Sequence, residues 1–172
     1  KYPLQCSQCY RYYHLLYQYR DDHEARGFMS NLLRYLEPLP KSKVLDLACG
    51  RGRHAIFMSE RDLDVTGIDL SENNIHFAKR HEQDNLRFIQ GDMSEDLGTE
   101  RFDYIFNLFT SFGYFDTPEQ SERAMHNIAK ALKPGGRLVI DFMNVEKVRL
   151  GLVKEEEMLE GYASFLNSMV DW

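Results

Sequence analysis

The segment Val44-Leu45-Asp46-Leu47-Ala48-Cys49-Gly50-Arg51-Gly52 constrains the fold of this 172-residue chain more than any other. Its short apolar run reads as a buried strand, and it hands over at once to a turn holding two glycines. Gly50 lets the chain turn sharply, and Gly52, without a Cβ, lets backbone approach a ligand closely. A helical pattern follows from about Arg53 to Glu60. A strand apolar on both sides belongs inside a parallel sheet covered by helices.

The rest of the chain repeats that alternation. Leu63 to Asp69 reads as a second strand, with Ser71 capping the helix after it. Leu86 to Gln90 is a third, ending at Gly91-Asp92, and Phe102 to Leu108 is a fourth. Thr117-Pro118-Glu119-Gln120 sets a helix start with N-cap, N1 proline and capping-box glutamine in place. Ala124, Ile128 and Leu132 give that helix its core stripe. Pro134-Gly135-Gly136 is expected to end it before a fifth strand, Arg137 to Phe142. Upstream, Tyr13, Leu16, Tyr17 and Arg20 recur at helical spacing. Phe28, Met29, Leu32, Leu33 and Leu36 mark one face of a second helix, which Pro38 and Pro40 stop. The expected fold is α/β: a doubly wound, mainly parallel Rossmann-like sheet with helices on both faces and an N-terminal helical cap. The length suits one domain. Residues 1–40 form its tail and cap, 41–152 its core, and 153–172 a segment of uncertain structure.

Ligands of such sheets bind beyond the carboxyl ends of the strands, so the residues there carry the functional argument. After strand one come Asp46, Ala48, Gly50 and Gly52, and Gly50-x-Gly52-x-x-Ala55 also fits a dinucleotide fingerprint. After strand two comes Asp69, a carboxylate able to accept both hydroxyls of an adenosyl ribose. After strand three come Asp92 and Met93, where Asp92 can accept from an adenine amine. Nicotinamide dinucleotide and S-adenosylmethionine both remain open on the glycines and Asp69 alone. Asp46, inside the first strand where it can reach an amino-acid end, and Asp92 favour the second.

Together VLDLACGRG (44–52), VTGIDLS (65–71), QGDM (90–93), FDYIFNLFTSFGYF (102–115) and LKPGGRLVIDF (132–142) resemble the class I S-adenosylmethionine-dependent methyltransferases, the small-molecule enzymes in particular. The resemblance implies that Asp46, Ala48, Gly50 and Gly52 hold the methionine part of the cofactor. Asp69 would bind the ribose, with Leu70 on the adenine and Asp92 and Met93 at the adenine edge. Asn107 and Leu108 would line the site near the sulfonium, and Tyr17 and Arg20 would cover the cofactor. The implied activity is transfer of a methyl group from S-adenosylmethionine to an N, O or C nucleophile of a small molecule by in-line displacement. Positioning and desolvation then carry most of the catalysis. Tyr17, His14 and Tyr114 are candidate bases, but no single catalytic residue is assigned.

Phe109, Phe112, Tyr114 and Phe115 lie beyond strand four, where an acceptor would enter, and can wall off water or clasp a cation. This loop lacks the Asn-Pro-Pro-aromatic motif of methyltransferases acting on nucleobase or glutamine amides. With a net charge of −6, that argues against nucleic acid as partner and for a small molecule. Two competing readings are an NAD(P)-dependent oxidoreductase and a non-catalytic cofactor-binding or interaction module.

Only 30 residues follow Phe142, which leaves the last two strands of a seven-stranded family sheet shortened or missing. An open edge on the fifth strand would suit pairing with a second copy, as in a homodimer. No apolar run reaches the roughly 18 residues of a membrane span. The three cysteines fit a reducing cytoplasm. Cys6-x-x-Cys9 lacks two further ligands at zinc spacing, so no metal is expected.

Overall fold

A computed structural model describes residues 22–108, 112, 115 and 117–141, all within the unit Lys1–Asp141. Five strands form where apolar runs demand burial: β1 Lys43–Leu47, β2 Asp64–Asp69, β3 Leu86–Gln90, β4 Phe102–Asn107 and β5 Leu132–Ile140. They pair in parallel in the order β3-β2-β1-β4-β5. The chain winds outward from β1 through β2 and β3, then crosses back to lay β4 and β5 on the other side. The reversal between β1 and β4 is the switch point at which such sheets open a crevice.

Alternate residues of the strands feed two cores, one on each face. On one face Val44, Val65, Phe88 and Phe106 pack beneath α1 (Asp22–Leu36), α2 (Arg53–Ser59) and α3 (Glu72–Ala78), through Met29, Leu33, Phe57, Met58 and Ile75. On the other, Leu45, Leu47 and Ile105 pack against Ile128 and Ala131 of α4 (Pro118–Ala131) and against Leu97. Helices thus cover both faces, as the sequence predicts. Two of them start as expected. The Ser71 hydroxyl accepts from the Asn74 amide, and Thr117 and Gln120 form both bonds of a capping box. At the end of α1, Tyr104 Oη and Arg137 Nη1 each donate to the Leu36 carbonyl at 3.5 Å, supplying partners for a helix-end acceptor.

Three expectations are corrected. Phe28 is 42% exposed, so the buried stripe of α1 is Ala25, Met29, Leu33 and Leu36. Pro134-Gly135-Gly136 does not terminate α4. The helix ends at Ala131, Leu132 is already extended (φ −71°, ψ 137°), and the proline and glycines lie inside β5. They form an irregularity there: Phe102 pairs with Leu132, Tyr104 pairs with Arg137, and Gly135 takes φ +78° within the bulge. Leu132 therefore acts as a strand rung, not as the last core residue of the helix. The other side of the sheet is closed by its own chain. Beside β3, Gln83 and Leu86 exchange backbone hydrogen bonds, and the Glu82 carboxylate accepts from the Phe88 amide at 2.7 Å. Residues 1–21, the loop positions 109–111, 113, 114 and 116, and everything from 142 onward lie outside the described residues. So do the first of the two helices expected within residues 1–40, both cysteines of the C-x-x-C pair and the question of further strands.

Candidate active site at the carboxyl end of the sheet

Directly after β1 the backbone turns over three left-handed residues, Ala48 (φ +57°), Gly50 (φ +57°) and Gly52 (φ +85°). The two glycines differ in what they leave room for. A Cβ on Gly50 would have no atom within 4 Å, so the turn faces open space at that point. A Cβ on Gly52 would stand 2.5 Å from the Phe88 ring. The missing side chain of Gly52 makes room for Phe88 of β3, which packs the start of α2 onto the sheet. Ala55, the third small residue of the fingerprint, is fully buried in the same core.

Beneath this turn lies Asp46, 1% exposed, with its Oδ2 atom lacking any hydrogen-bond partner. Burial pushes its carboxyl up to about 7; the neighbouring Asp69 carboxylate adds to the rise, and the Ala55 amide at the start of α2 opposes it. A buried carboxylate with a lone oxygen is costly unless a cation meets it. Burial also pushes the Cys49 thiol upward, which makes it an inert packing group. His54, which the sequence did not single out, is 7% exposed. Burial first, then Arg53, lowers its imidazole to about 4 and keeps it neutral.

Asp69 closes β2 and ties the turn to α3. Its Oδ2 accepts from the Gly50 amide at 2.8 Å, and its Oδ1 accepts from the Ser71 amide at 2.9 Å and from Asn74 Nδ2 at 3.2 Å. Leu70 beside it is 70% exposed, an apolar surface facing solvent at the crevice. Asp92 accepts from the Ser94 amide at 2.7 Å, so one of its oxygens shapes its own turn. With Ile68, Ile89 and Gly91 it also lines a cleft of about 180 Å³. Met93 packs on the core beneath α4.

Asn107 closes β4 and is fully buried. Its Nδ2 donates to the Leu47 carbonyl at 3.1 Å across the switch point, and its Oδ1 has no partner. Leu108 turns into the core under α1 and α2. Phe112 packs on the other core and meets Phe115 edge to face at 5.4 Å, so at least this part of the aromatic loop is anchored to the sheet. The sheet thus brings Asp46, Gly50, Asp69, Leu70 and Asn107 to the carboxyl ends of β1, β2 and β4. Tyr17, Arg20, His14, Phe109 and Tyr114 lie outside the described residues. Among the described residues no group of histidine, cysteine and carboxylate side chains could hold a metal ion. No helix there is long and apolar enough to cross a membrane.

Residues 44–136 match the sequence profile described as a methyltransferase domain. The chain belongs to that family, the class I S-adenosylmethionine-dependent methyltransferases. Among relatives, this methyltransferase domain is 32% identical over 113 residues to a dTDP-3-amino-3,4,6-trideoxy-α-D-glucopyranose N,N-dimethyltransferase of Streptomyces venezuelae, covering 66% of this chain and 47% of that one. It is 32% identical over 137 residues to a ubiquinone biosynthesis O-methyltransferase of Idiomarina loihiensis, covering 77% and 55%. Among solved structures it resembles SAM-bound CalS10, an amino pentose methyltransferase of Micromonospora echinaspora, at 28% identity and a TM-score of 0.62 over 74% of this chain and 54% of that one. The chain spans about half the length of the curated relatives it matches.

The cofactor of this family is S-adenosylmethionine, and the residues at the carboxyl end of the sheet suit it on their own chemistry. Asp46 offers a buried, unpartnered carboxylate oxygen to a cation, Gly50 faces open space, and Leu70 presents apolar surface.

Proposed function

We propose that this chain carries the cofactor-binding half of an enzyme that methylates a small molecule. The observation that supports this most is the buried carboxylate of Asp46, one oxygen without a partner, set at the switch point beside Asp69. Such a crevice favours a cationic ligand. Asp46, Ala48 and Gly50 would hold the amino-acid end of the cofactor, Asp69 its ribose, Leu70 its adenine face, and Asp92 and Met93 the adenine edge. Gly52 would serve by placing α2. Asn107 and Leu108 would bound the reacting end, Asn107 with its side chain and Leu108 with its backbone, since the Leu108 side chain packs in the core. When bound, the cofactor supplies a methyl group activated by its sulfonium. The residues of this chain contribute orientation and exclusion of water, and no single side chain is assigned as the base.

The acceptor is an N, O or C nucleophile of a small molecule. The named amino-sugar and ubiquinone relatives favour nitrogen or oxygen, and Phe112, in the loop after β4, would bound the acceptor side. Tyr17 and Arg20 would close over the cofactor, with Phe109 and Tyr114 lining the acceptor side. A cytoplasmic setting without nucleic acid or membrane as partner agrees with the acidic balance and the sparse cysteines. A second copy would pair through the outer edge of β5. The dinucleotide reading fares worse because the Ala55 amide at the start of α2, where a pyrophosphate would sit, already serves Asp46.

Calorimetric titration with S-adenosylhomocysteine and, separately, with NAD tests this. Micromolar binding of the first with none of the second is the expected result. The reverse would overturn the reading, and tight binding without turnover on amine, hydroxyl and thiol acceptors would move it to a non-catalytic module.

A further inference from the structure

The amino ends of the strands carry charges that alternate in sign across the sheet: Arg87 on β3, Asp64 on β2, Lys43 on β1, Asp103 on β4 and Lys133 on β5. Three cations stand against two carboxylates, and both carboxylates are taken. Asp64 accepts from Arg87 Nη2 at 3.0 Å. Asp103 accepts from Lys133 Nζ at 2.8 and 2.9 Å and from the Lys43 amide at 2.7 Å. Lys43, in the middle of the row, is left over. Among the described residues its ammonium pairs with no carboxylate.

Lys43 lines a cleft of about 230 Å³ with Arg101, which brings a second uncommitted cation. The Arg101 guanidinium lies over the Phe102 ring at 5.3 Å, and its Nη1 donates to the Leu97 carbonyl at 3.4 Å. These contacts orient it, yet it meets no carboxylate among the described residues. Thr66 lines the same cleft, is 6% exposed, and its hydroxyl makes no hydrogen bond among the described residues. An ammonium, a guanidinium and a buried hydroxyl with donors to spare suit the oxygens of a phosphate, which take several charge-assisted hydrogen bonds at once. We infer that this amino-end cleft is a second ligand site, for a phosphate group held by Lys43, Arg101 and Thr66. Arg87 and Lys133 line it too, but their charges are spent on Asp64 and Asp103. Asp64 and Asp69 stand at opposite ends of β2, about 17 Å apart at the usual rise of a strand. The site is thus separate from the residues proposed for the cofactor and does not rest on that reading.

The cleft also holds the chain's own competitor. Glu100 lines it, on a backbone at φ +49° whose amide donates to the Lys130 carbonyl at 2.9 Å. Its carboxylate opposes an incoming anion, so removing that charge should tighten binding.

Calorimetric titration of the full chain with inorganic phosphate at constant ionic strength, with and without saturating S-adenosylhomocysteine, tests this. Saturable millimolar binding that the homocysteine compound does not change is the expected result. Lys43→Gln and Arg101→Gln are each expected to weaken it about tenfold, the cost of one hydrogen bond to a charged group. Glu100→Gln is expected to strengthen it, a gain that loss of fold cannot produce. A parallel titration with phenyl phosphate separates the two sources of the group: tighter binding assigns the site to a phosphorylated small molecule, weaker binding to the free ion. Absence of saturable phosphate binding to the unmodified protein would overturn the inference. So would equal affinity in all the variants, which would mark an adventitious ion only. Loss of phosphate binding in the presence of S-adenosylhomocysteine would place the anion at the other end of the sheet and overturn it too.

Discussion

At the amino ends of the strands Asp103 accepts from Lys133 at 2.8 Å and from the Lys43 amide at 2.7 Å, and Asp64 accepts from Arg87 at 3.0 Å. At the carboxyl ends of the same sheet Asp46 and Asn107 are buried with an oxygen each unpartnered, and three left-handed residues follow β1. Both ends are built from charged or polar groups at strand termini. One end satisfies these carboxylates within the chain and is half exposed; the other is buried and leaves two side-chain oxygens unpartnered. Incomplete polar burial costs stability and persists where a ligand completes it.

That contrast can be broken by substitution. The largest effect is expected at Gly52→Ala, where a left-handed φ and a Cβ 2.5 Å from the Phe88 ring combine. A loss of about 2–5 kcal/mol of folding stability follows from backbone strain plus overpacking. Gly50→Ala, facing open space, is expected to lose only about 1–2 kcal/mol from its φ. Urea melts of both variants check this, and equal losses would mean that Phe88 yields freely.

Asp46 comes next. Its folded pKa of about 7 lies above the ordinary value of 3.8, so the folded state holds a proton that the unfolded chain releases between those two values. Asp46 therefore costs little below pH 4, costs progressively more as pH rises toward 7, and stays at its full cost above. Asp46→Asn is expected to stabilise the free protein at pH 8 relative to pH 4 by about 2–4 kcal/mol while weakening cofactor binding. In the unmodified protein the affinity for S-adenosylhomocysteine should fall as pH drops below 7, because the ligand's ammonium favours the carboxylate. A flat affinity between pH 5.5 and 8 would remove Asp46 from the site.

Asp69→Ala is expected to weaken cofactor binding by about 1.5–3 kcal/mol, the range for a hydrogen bond to a charged group. Unchanged affinity would put the ribose elsewhere. The smallest effect belongs to the amino end. Lys133→Ala should lower stability by about 0.2–1 kcal/mol, as half-exposed ion pairs do, and leave cofactor affinity untouched. A measurable loss of affinity there would dissolve the distinction between the two ends.

Much of this arrangement was legible in the chain. Strands of five or six apolar-rich residues, Thr117 and Gln120 at a helix start, and an aspartate at the end of each of the first three strands are local signals, and the fold uses them as they read. What was not legible depends on residues far apart in sequence. Nothing near Gly52 announces Phe88, and Pro134-Gly135-Gly136 looks like a helix stop until Phe102 claims Leu132 as its partner.

The closure beside β3 gives the sheet a direction. Glu82 and the Gln83–Leu86 pair occupy the strip where another strand would dock, whereas β5 pairs only with β4 among the described residues. Elaboration by insertion, fusion or recruitment of a neighbour is thereby steered to the side of β4 and β5. That side is also where the aromatic loop after β4 begins.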